Sequence, residues 1–470
     1  MVDLGRYRNE VILLLLFIVV NIVIYSFSYE GAPLDVGADA GQYLRPARSL
    51  IDYGEFTMNP LGWTPDMGDS RSFTFGTPLY SILLAIPYYF FGQGEAFYVT
   101  IVIIQCSLLY LIGWISRSFL SFFNSKRVIL IHVLVIFNPN SLTTAHLIQS
   151  ETLFTLFVVI ALLYIFKYIK YSSKINLVVV GVSVGLLALT RPAGLYLVYM
   201  IPVILIVIQI LEYYKIEKSK GNGIQYINFI IPILVAFIVM SPWYIRNYVD
   251  SGKLFLTSES GYYLKNNYQV LIQRGRMGLT EQEAIKISDD KHLSYIRKNN
   301  LNSACLHNIR NPDCDRYVYD AALDGILSEP IASHLRAFFH SFGILYISGG
   351  ASNFRNYIGL EGNTLVVDFQ QEKFKGLDSI ISLIRKMDVG YLLIFIVFTG
   401  FSVITRFLGL IGLYRTIKTS EAIVYLIPIV GVLVIFTAMY LYLGQSRFRV
   451  PLEPILMLLT VLSFSKKDVD

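Results

Sequence analysis

Acidic side chains concentrate in one polar loop near the start of the chain, between two strongly apolar stretches. The loop extends from Tyr29 to Pro78 and contains Asp35, Asp39, Asp52, Asp66 and Asp69. A carboxylate can take a proton from a hydroxyl group, or it can bind a divalent cation. Because the flanking stretches are apolar enough for a membrane, we expect this polar chemistry where lipid meets water.

Asp39 opens the motif D-A-G-Q-Y-L-R-P-A-R-S-L-I-D-Y-G, residues 39–54, which predicts a short amphipathic helix on the membrane surface. Its apolar positions recur at helical spacing: Tyr43, Ala47, Leu50 and Ile51. Asp39 could simply cap this helix, because a carboxylate is favourable at the positive helix end. Pro46 interrupts the pattern, so a helix that starts only at Arg45 is an alternative.

A second carboxylate, Glu151, follows the polar turn at residues 137–150. It could cap the apolar helix that starts there, or it could face Asp39 across a cleft. Two acidic groups on neighbouring loops could position an acceptor hydroxyl group, a sugar or a metal. Asp39 and Glu151 could therefore share a divalent cation, Mg²⁺ or Mn²⁺, with water as the remaining ligands.

Four arginines lie at the ends of apolar stretches, in three separate loops. They are Arg191 in L-T-R-P-A-G, Arg246 in P-W-Y-I-R-N-Y, and Arg447 and Arg449 in R-F-R-V-P. The planar guanidinium group suits phosphate oxygens and stays charged in a low dielectric. Anchoring at the membrane interface beside aromatic residues is the alternative. Three loops that bring arginines to one face favour an anionic ligand.

The chain has three cysteines in two different settings. Cys106 lies inside an apolar stretch and is predicted to be a packing residue. Cys305 and Cys314 lie in a long polar segment with eight residues between them. If that segment is outside the cell, they could form a disulfide bond, and two free thiols are the alternative. A zinc site would need more ligands than this segment offers.

Hydrophobic residues make up 54% and charged residues 15% of the 470, which predicts an all-α polytopic membrane protein. No repeated strand alternation favours a β-barrel. The candidate spans are 11–28, 96–115, 127–138, 151–168, 175–190, 194–211, 226–242, 389–413, 422–442 and 449–465. The apolar stretches 79–91 and 335–348 are too short for a span of about 20 residues, so we expect them to be interfacial or re-entrant.

Basic side chains orient the predicted spans. The formal net charge is +6, and most lysines and arginines lie in short loops rather than in a nucleic-acid-binding surface. The positive-inside rule places both termini in the cytoplasm if 79–91 does not cross. The acidic loop, the turn at 139–150, residues 243–388 and the segment 445–449 then lie outside. Because no small-x-small cleavage site follows 11–28, we expect an uncleaved first span.

Three parts follow one another along the chain. Residues 1–242 form a transmembrane module that includes the acidic loop 29–78. Residues 243–388 form a polar outer segment, with helices predicted at 281–298, 316–328 and 331–347, the last in the headgroup region. Residues 389–470 form the C-terminal transmembrane helices.

Several short motifs together resemble a known family. In chain order they are Asp39 with Tyr43 and Ala47, T-P-L-Y at 77–80, S-E at 150–151, L-T-R-P at 189–192, P-W-Y-I-R-N-Y at 242–248 and R-F-R-V-P at 447–451. They are similar to GT-C membrane glycosyltransferases, a group that includes dolichyl-phosphate-mannose protein mannosyltransferases and bacterial enzymes that modify lipid A or core sugars. The resemblance covers residues 1–250 and, in part, the C-terminal arginine motif.

The resemblance implies a GT-C-type bundle of about 10–12 membrane helices with juxtamembrane helices and one long outer segment. It implies transfer of a hexose or pentose from a polyprenyl-phosphate donor to a glycan, lipid or protein acceptor at the outer face of a prokaryotic cytoplasmic membrane. Asp39 would be the catalytic carboxylate, and Glu151 the second acidic residue. Arg447 would match the C-terminal arginine near the donor phosphate. Apart from the resemblance, Arg449, Arg246 and Arg191 are further candidates for binding the phosphate, and Tyr43 and Tyr80 are candidates for substrate contacts.

Two other functions share many of these features. A flippase for lipid-linked sugars would also have many spans and a basic outer face, but transporters usually show internal repeats and charges near the bilayer midplane. An O-antigen polymerase or ligase would use a diphosphate-linked oligosaccharide instead. The acidic first loop favours the monophosphate sugar transferases.

Overall fold

The regular secondary structure is helical throughout the part of the chain that the structure describes. This computed structural model describes residues 4–28, 39–58, 76–215, 227–275, 279–301, 312–360, 385, 387–419 and 422–465. Apart from one isolated bridge residue at Thr57, these ranges contain helices, turns and loops. The predicted all-α class is confirmed.

Ten helices precede the polar part of the chain. They are α1 Leu4–Ser26, α2 Asp39–Tyr53, α3 Leu79–Phe91, α4 Glu95–Ser116, α5 Val128–Ile136, α6 Pro139–Ala145, α7 Glu151–Tyr171, α8 Lys174–Thr190, α9 Gly194–Lys215 and α10 Ile227–Ser251. The bundle is completed near the end of the chain by α17 Val389–Ile417, α18 Ile423–Met439, a 3₁₀ helix Ser446–Leu452 and α19 Glu453–Leu462.

Six helices of the described ranges are long and apolar enough to cross a membrane. The segments are Arg8–Ser26, Glu95–Phe122, Glu151–Tyr171, Gly194–Leu211, Ile227–Ser251 and Val389–Ile417. A helix satisfies its backbone hydrogen bonds internally, which the hydrocarbon core demands. The chain is therefore an integral membrane protein, as predicted.

Three predicted spans form shorter helices than expected. The stretch 127–138 ends at Ile136, and α6 starts at Pro139 after a bend of 54°. Asn138 causes this break, because its side chain accepts a hydrogen bond from the Ser141 amide and so starts a new helix. The stretches 422–442 and 449–465 contain helices of 17 and 10 residues. The stretch 175–190, in contrast, is helical throughout and lies within α8, which has 17 residues.

Helix α2 is continuous across Pro46, so a start only at Arg45 is wrong. Proline removes one backbone donor and usually kinks a helix. Here Ala40 and Ala47 are buried and belong to the same hydrophobic cluster as residues of α3, including Leu84. This packing holds α2 in one piece from its first residue, Asp39.

The polar segment, residues 252–360, is also largely helical in its described parts, 252–275, 279–301 and 312–360. The element Ser260–Arg274 comprises α11 Ser260–Tyr263, a π-helical turn Leu264–Gln269 and α12 Val270–Arg274. It is followed by α13 Glu281–Lys298, α14 Asp315–Leu327, α15 Ile331–Ile347 and α16 Ala351–Tyr357. The predicted helices 281–298 and 331–347 have the observed bounds. The boundary predicted at 242 falls inside α10, which continues through Pro242 to Ser251.

One buried apolar core joins helices from the first half of the chain to its C-terminal helices. Side chains of α7, α8 and α9 pack in the same cluster as side chains of α18 and α19. Gly412 of α17 lets that helix approach α19, because a β-carbon there would collide with the Leu459 carbonyl group. The loops at the ends of these helices, around residues 150, 191 and 447, are brought together as a result.

Candidate functional site

The two tyrosines predicted to contact substrate lie side by side. The Tyr43 and Tyr80 rings meet edge to face with centroids 4.8 Å apart. The Tyr43 hydroxyl group shares a hydrogen bond of 3.0 Å with the Ser150 hydroxyl group. Tyr80 is fully buried and donates to Gln105 Oε1 at 2.9 Å. Tyr43 therefore links α2 to the turn before α7, and Tyr80 supports it from α3.

Glu151 forms a buried ion pair with Arg191. The Arg191 Nη1 to Glu151 Oε1 distance is 2.5 Å, and the side chains are 12% and 2% exposed. Arg191 Nη1 also donates to Ser150 Oγ at 3.2 Å. Burial lowers the pKa of Arg191, but the Glu151 carboxylate together with the neighbouring tyrosines raises the pKa well above its usual value. Arg191 is a permanent cation, and its first neighbour is an anion.

Arg447 lies near the same place from the other end of the chain. The Phe448 ring stacks on Tyr440 with centroids 4.4 Å apart and planes 4° apart. The guanidinium carbon of Arg447 is 4.9 Å from the Phe448 ring centre, and that of Arg191 is 5.7 Å from it. Arg447 Nε donates to Gln445 Oε1 at 2.9 Å. Two of the four predicted arginines thus converge on one aromatic ring.

Arg449 points away from this ring into the protein. It is fully buried, and its Nε donates to Glu453 Oε1 at 2.6 Å. Its other nitrogens donate to the carbonyl groups of Leu345 and Ser348 at the end of α15. The expectation that Arg449 binds a donor phosphate conflicts with this geometry, because buried acceptors already use its donors.

Arg246 occupies a third position, at the end of α10. Its Nη2 donates to the Phe56 carbonyl oxygen at 2.8 Å, and its Nη1 lies 3.6 Å from Asp250 Oδ2. Its guanidinium group lies 4.9 Å from the Trp243 ring centre. These contacts fit the interfacial-anchor alternative, and they tie α10 to the segment that follows α2.

Asp39 is the first residue of α2, and its side chain lies outside the described part of the structure. Its backbone position is one helical turn before Tyr43, whose hydroxyl group contacts Ser150. The helix that carries the predicted catalytic carboxylate is therefore in contact with the loop that carries Glu151. The role of Asp39 stays a prediction.

Two solved proteins align with most of this chain. The archaeal oligosaccharyltransferase AglB from Archaeoglobus fulgidus, in complex with an inhibitory peptide and a dolichol-phosphate, aligns with a TM-score of 0.48 and 14% identity over 96% of this chain and 50% of that one. ArnT from Cupriavidus metallidurans, bound to undecaprenyl phosphate, aligns with a TM-score of 0.39 and 14% identity, over 94% of this chain and 77% of that one.

The chain spans about half the length of AglB. No protein-family model matches the chain, and a search of curated proteins finds no match either. The activity of this chain therefore has to follow from its own residues.

Glu151 is poorly suited to hold a divalent cation. Mg²⁺ and Mn²⁺ need several oxygen ligands, but the Glu151 carboxylate is already neutralised by Arg191 at 2.5 Å. Among the residues with described side chains, no group of three or more His, Cys, Asp or Glu residues could hold a metal ion. The side chain of Asp39 lies outside the described residues, so the cation that Asp39 and Glu151 were expected to share stays a prediction.

The cysteines divide as the sequence suggested. Cys314 is disulfide-bonded, and Cys106 is a buried free thiol. Cys305, the predicted partner of Cys314, lies outside the described residues, so the pairing itself stays a prediction.

Three residues of this site had no role assigned to them from the sequence, although Ser150 is part of the S-E motif at 150–151. Ser150 connects Tyr43 to Arg191, and Phe448 with Tyr440 forms the aromatic stack beside the two arginines. Phe448 carried a weak signal, because it separates the arginines of R-F-R. Tyr440 ends an apolar helix and had no signal of its own.

Proposed function

We propose that this protein is a membrane glycosyltransferase that moves a sugar from a polyprenyl-phosphate donor to an acceptor. The observation that carries the proposal is the convergence of Arg191 and Arg447 on Phe448, next to the Tyr43–Ser150 contact of the helix that starts at Asp39. Two cations from distant parts of the chain, beside a candidate base and inside a membrane bundle, suit an anionic lipid with a reactive sugar.

The arginines would bind the phosphate group of the donor. Arg447 is partly exposed and can meet an incoming anion, whereas Arg191 is nearly buried. As the bond between sugar and phosphate breaks, the lipid phosphate gains negative charge. Fixed guanidinium groups stabilise such developing charge strongly, because they need no reorganisation during the reaction.

Asp39 would act as the general base. It would take the proton of the acceptor hydroxyl group while the hydroxyl oxygen attacks the anomeric carbon. One bond forms between the acceptor oxygen and the sugar, one bond breaks between the sugar and the phosphate, and the lipid phosphate leaves. A single displacement of this kind inverts the anomeric configuration. Glu151 is held by Arg191 and is not the base in this arrangement.

The reaction would take place at the outer face of a prokaryotic cytoplasmic membrane, with both termini in the cytoplasm. The lysines and arginines of the short loops support this orientation. The polyprenyl tail would lie between membrane helices, and the polar segment would select a glycan, lipid or protein acceptor. Whether the sugar is a hexose or a pentose is decided by groups that contact it.

Arg447→Ala is expected to weaken binding of undecaprenyl phosphate by roughly 10- to 150-fold, because a hydrogen bond to a charged group contributes about 1.5–3 kcal/mol. Native mass spectrometry of the protein in nanodiscs, at a series of lipid concentrations, measures the change. Arg316→Ala is the matched control, since Arg316 is 89% exposed on α14. Equal affinity in all three proteins would contradict the phosphate site.

Excess chelator is expected to leave most of the transfer rate intact, because Arg191 already supplies the positive charge beside Glu151. The measurement is product formation from a radiolabelled lipid-phosphate sugar, with and without EDTA, followed by addition of Mg²⁺ or Mn²⁺. A rate that vanishes with EDTA and returns with the cation would show that a metal takes part.

The experiment that tests the whole proposal is mass spectrometry of cell-envelope glycans from cells with and without this chain. The proposed enzyme predicts the loss of one sugar from one glycan. A flippase would instead move the sugar lipid between leaflets of a proteoliposome without forming a glycosidic bond. A polymerase or ligase would require a diphosphate-linked oligosaccharide donor.

A further inference from the structure

We propose that the Glu151 carboxylate competes with the lipid phosphate for Arg191. This competition weakens binding of the lipid product and so helps to release it. The inference rests on the proposed function, because it assumes that Arg191 faces the phosphate. It adds a role for Glu151 that is neither a base nor a metal ligand.

The geometry of the pair is the first support. Glu151 Oε1 lies 2.5 Å from Arg191 Nη1, and only 2% of the Glu151 side chain is exposed. The same Arg191 nitrogen donates to Ser150 Oγ at 3.2 Å. The nitrogen that would otherwise offer a donor to a phosphate oxygen is therefore already in an ion pair with Glu151 and hydrogen-bonded to Ser150.

The net charge of the site is the second support. Within the Glu151–Arg191 pair the two charges cancel, so the excess positive charge beside Phe448 comes from Arg447. A phosphate that approaches Arg191 is repelled by Glu151, and the repulsion is strong because buried groups are poorly screened. Donor binding must therefore weaken the pair or work against its carboxylate.

The charges of substrate and product explain why such a competitor would be useful. A sugar-linked lipid phosphate is a diester with one negative charge. The free lipid phosphate is a monoester whose second pKa is about 6, so it carries almost two negative charges at neutral pH. Two arginines alone would hold the product more tightly than the donor. Glu151 reduces this difference in affinity, because its ion pair with Arg191 forms again when the product leaves.

A hydrogen-bond chain connects this exchange to the acceptor side. Ser150 Oγ contacts both Arg191 and the Tyr43 hydroxyl group, at 3.2 and 3.0 Å. A shift of Arg191 from Glu151 toward the phosphate would also change its contact with Ser150. The state of the phosphate site is thereby transmitted to α2, the helix that begins at Asp39.

Glu151→Gln is expected to bind undecaprenyl phosphate about 10-fold more tightly than the wild type, the factor that about 1.4 kcal/mol gives. The gain should appear as slower dissociation, and multiple-turnover transfer should slow while a single turnover does not. Native mass spectrometry and stopped-flow release from nanodiscs measure the two quantities. Glu329→Gln is the matched control for the loss of a buried negative charge, because Glu329 is a buried carboxylate 2.7 Å from Lys291 in the polar segment. This variant should bind undecaprenyl phosphate as the wild type does.

If a folded Glu151→Gln protein bound undecaprenyl phosphate as the wild type does, or more weakly, the proposed competition would be wrong. If that variant does not fold, Glu151→Asp replaces it, because a shorter side chain lengthens the 2.5 Å contact and should also tighten binding. Adding Arg191→Ala to Glu151→Gln should remove the gain. A failure of the proposed function looks different, since Arg447→Ala and the wild type would then bind the lipid phosphate equally.

Discussion

Asp39→Asn is expected to lower sugar transfer by roughly 10²- to 10⁴-fold, the range that a positioned general base contributes. The amide has nearly the shape of the carboxylate but cannot accept the proton of the acceptor hydroxyl group. The rate of product formation from a lipid-phosphate sugar is the measurement. Binding of undecaprenyl phosphate should stay close to that of the wild type, because Arg191 and Arg447 remain.

A second aspartate of the same helix gives the matched control. The Asp52 carboxylate is exposed near the end of α2 and accepts a hydrogen bond from the Tyr88 hydroxyl group, at 3.1 Å to its Oδ2 atom. Asp52→Asn removes the same charge from the same helix and should leave the transfer rate almost unchanged. Near-normal transfer by Asp39→Asn would show that Asp39 is not the base.

Local patterns were enough to predict many of the helices. The predicted helices 281–298 and 331–347 match the observed ends, because the residues that start each helix lie next to it in the sequence. Thr280 and Glu283 form a capping box at the start of α13, and Pro330 precedes α15. Pro46 shows the limit of such signals, since packing of α2 on α3 outweighs the proline.

Partners across the chain could not be predicted in the same way. The sequence shows that Arg191 and Arg447 lie at the ends of apolar stretches. It does not show that they lie beside the same Phe448 ring, because that depends on the shared core of α7, α8, α9, α18 and α19. Arg447 and Arg449 differ by two positions in a 3₁₀ helix, and they point to different surroundings. The pairing of Glu151 with Arg191 also depends on two separate loops.

The stability of the folded chain depends on a buried hydrogen-bond network around the Glu453 carboxylate. Glu453 is 1% exposed and accepts hydrogen bonds from Arg406 at 2.7 Å, from Arg449 at 2.6 Å and from Asn138 at 3.0 Å. Arg449 in turn binds the carbonyl groups at the end of α15. One anion thereby joins α17, α19, the turn before α6, the 3₁₀ helix and the polar segment.

Glu453→Ala is therefore expected to destabilise the protein by about 3–5 kcal/mol, because it leaves two buried guanidinium groups without their carboxylate. Unfolding in mixed micelles at increasing denaturant measures the loss. Asp320→Ala is the control, since the exposed Arg316–Asp320 contact at 4.0 Å should contribute less than about 1 kcal/mol.

The same variant separates stability from function. Where Glu453→Ala is still folded, the 3₁₀ helix Ser446–Leu452 should be less fixed, and Arg447 should bind lipid phosphate more weakly. In an Arg447→Ala background, Glu453→Ala should cost stability without a further loss of affinity. Equal stability of Glu453→Ala and the wild type would mean that the two arginines find other acceptors, and the network would then not hold the arginine motif in place.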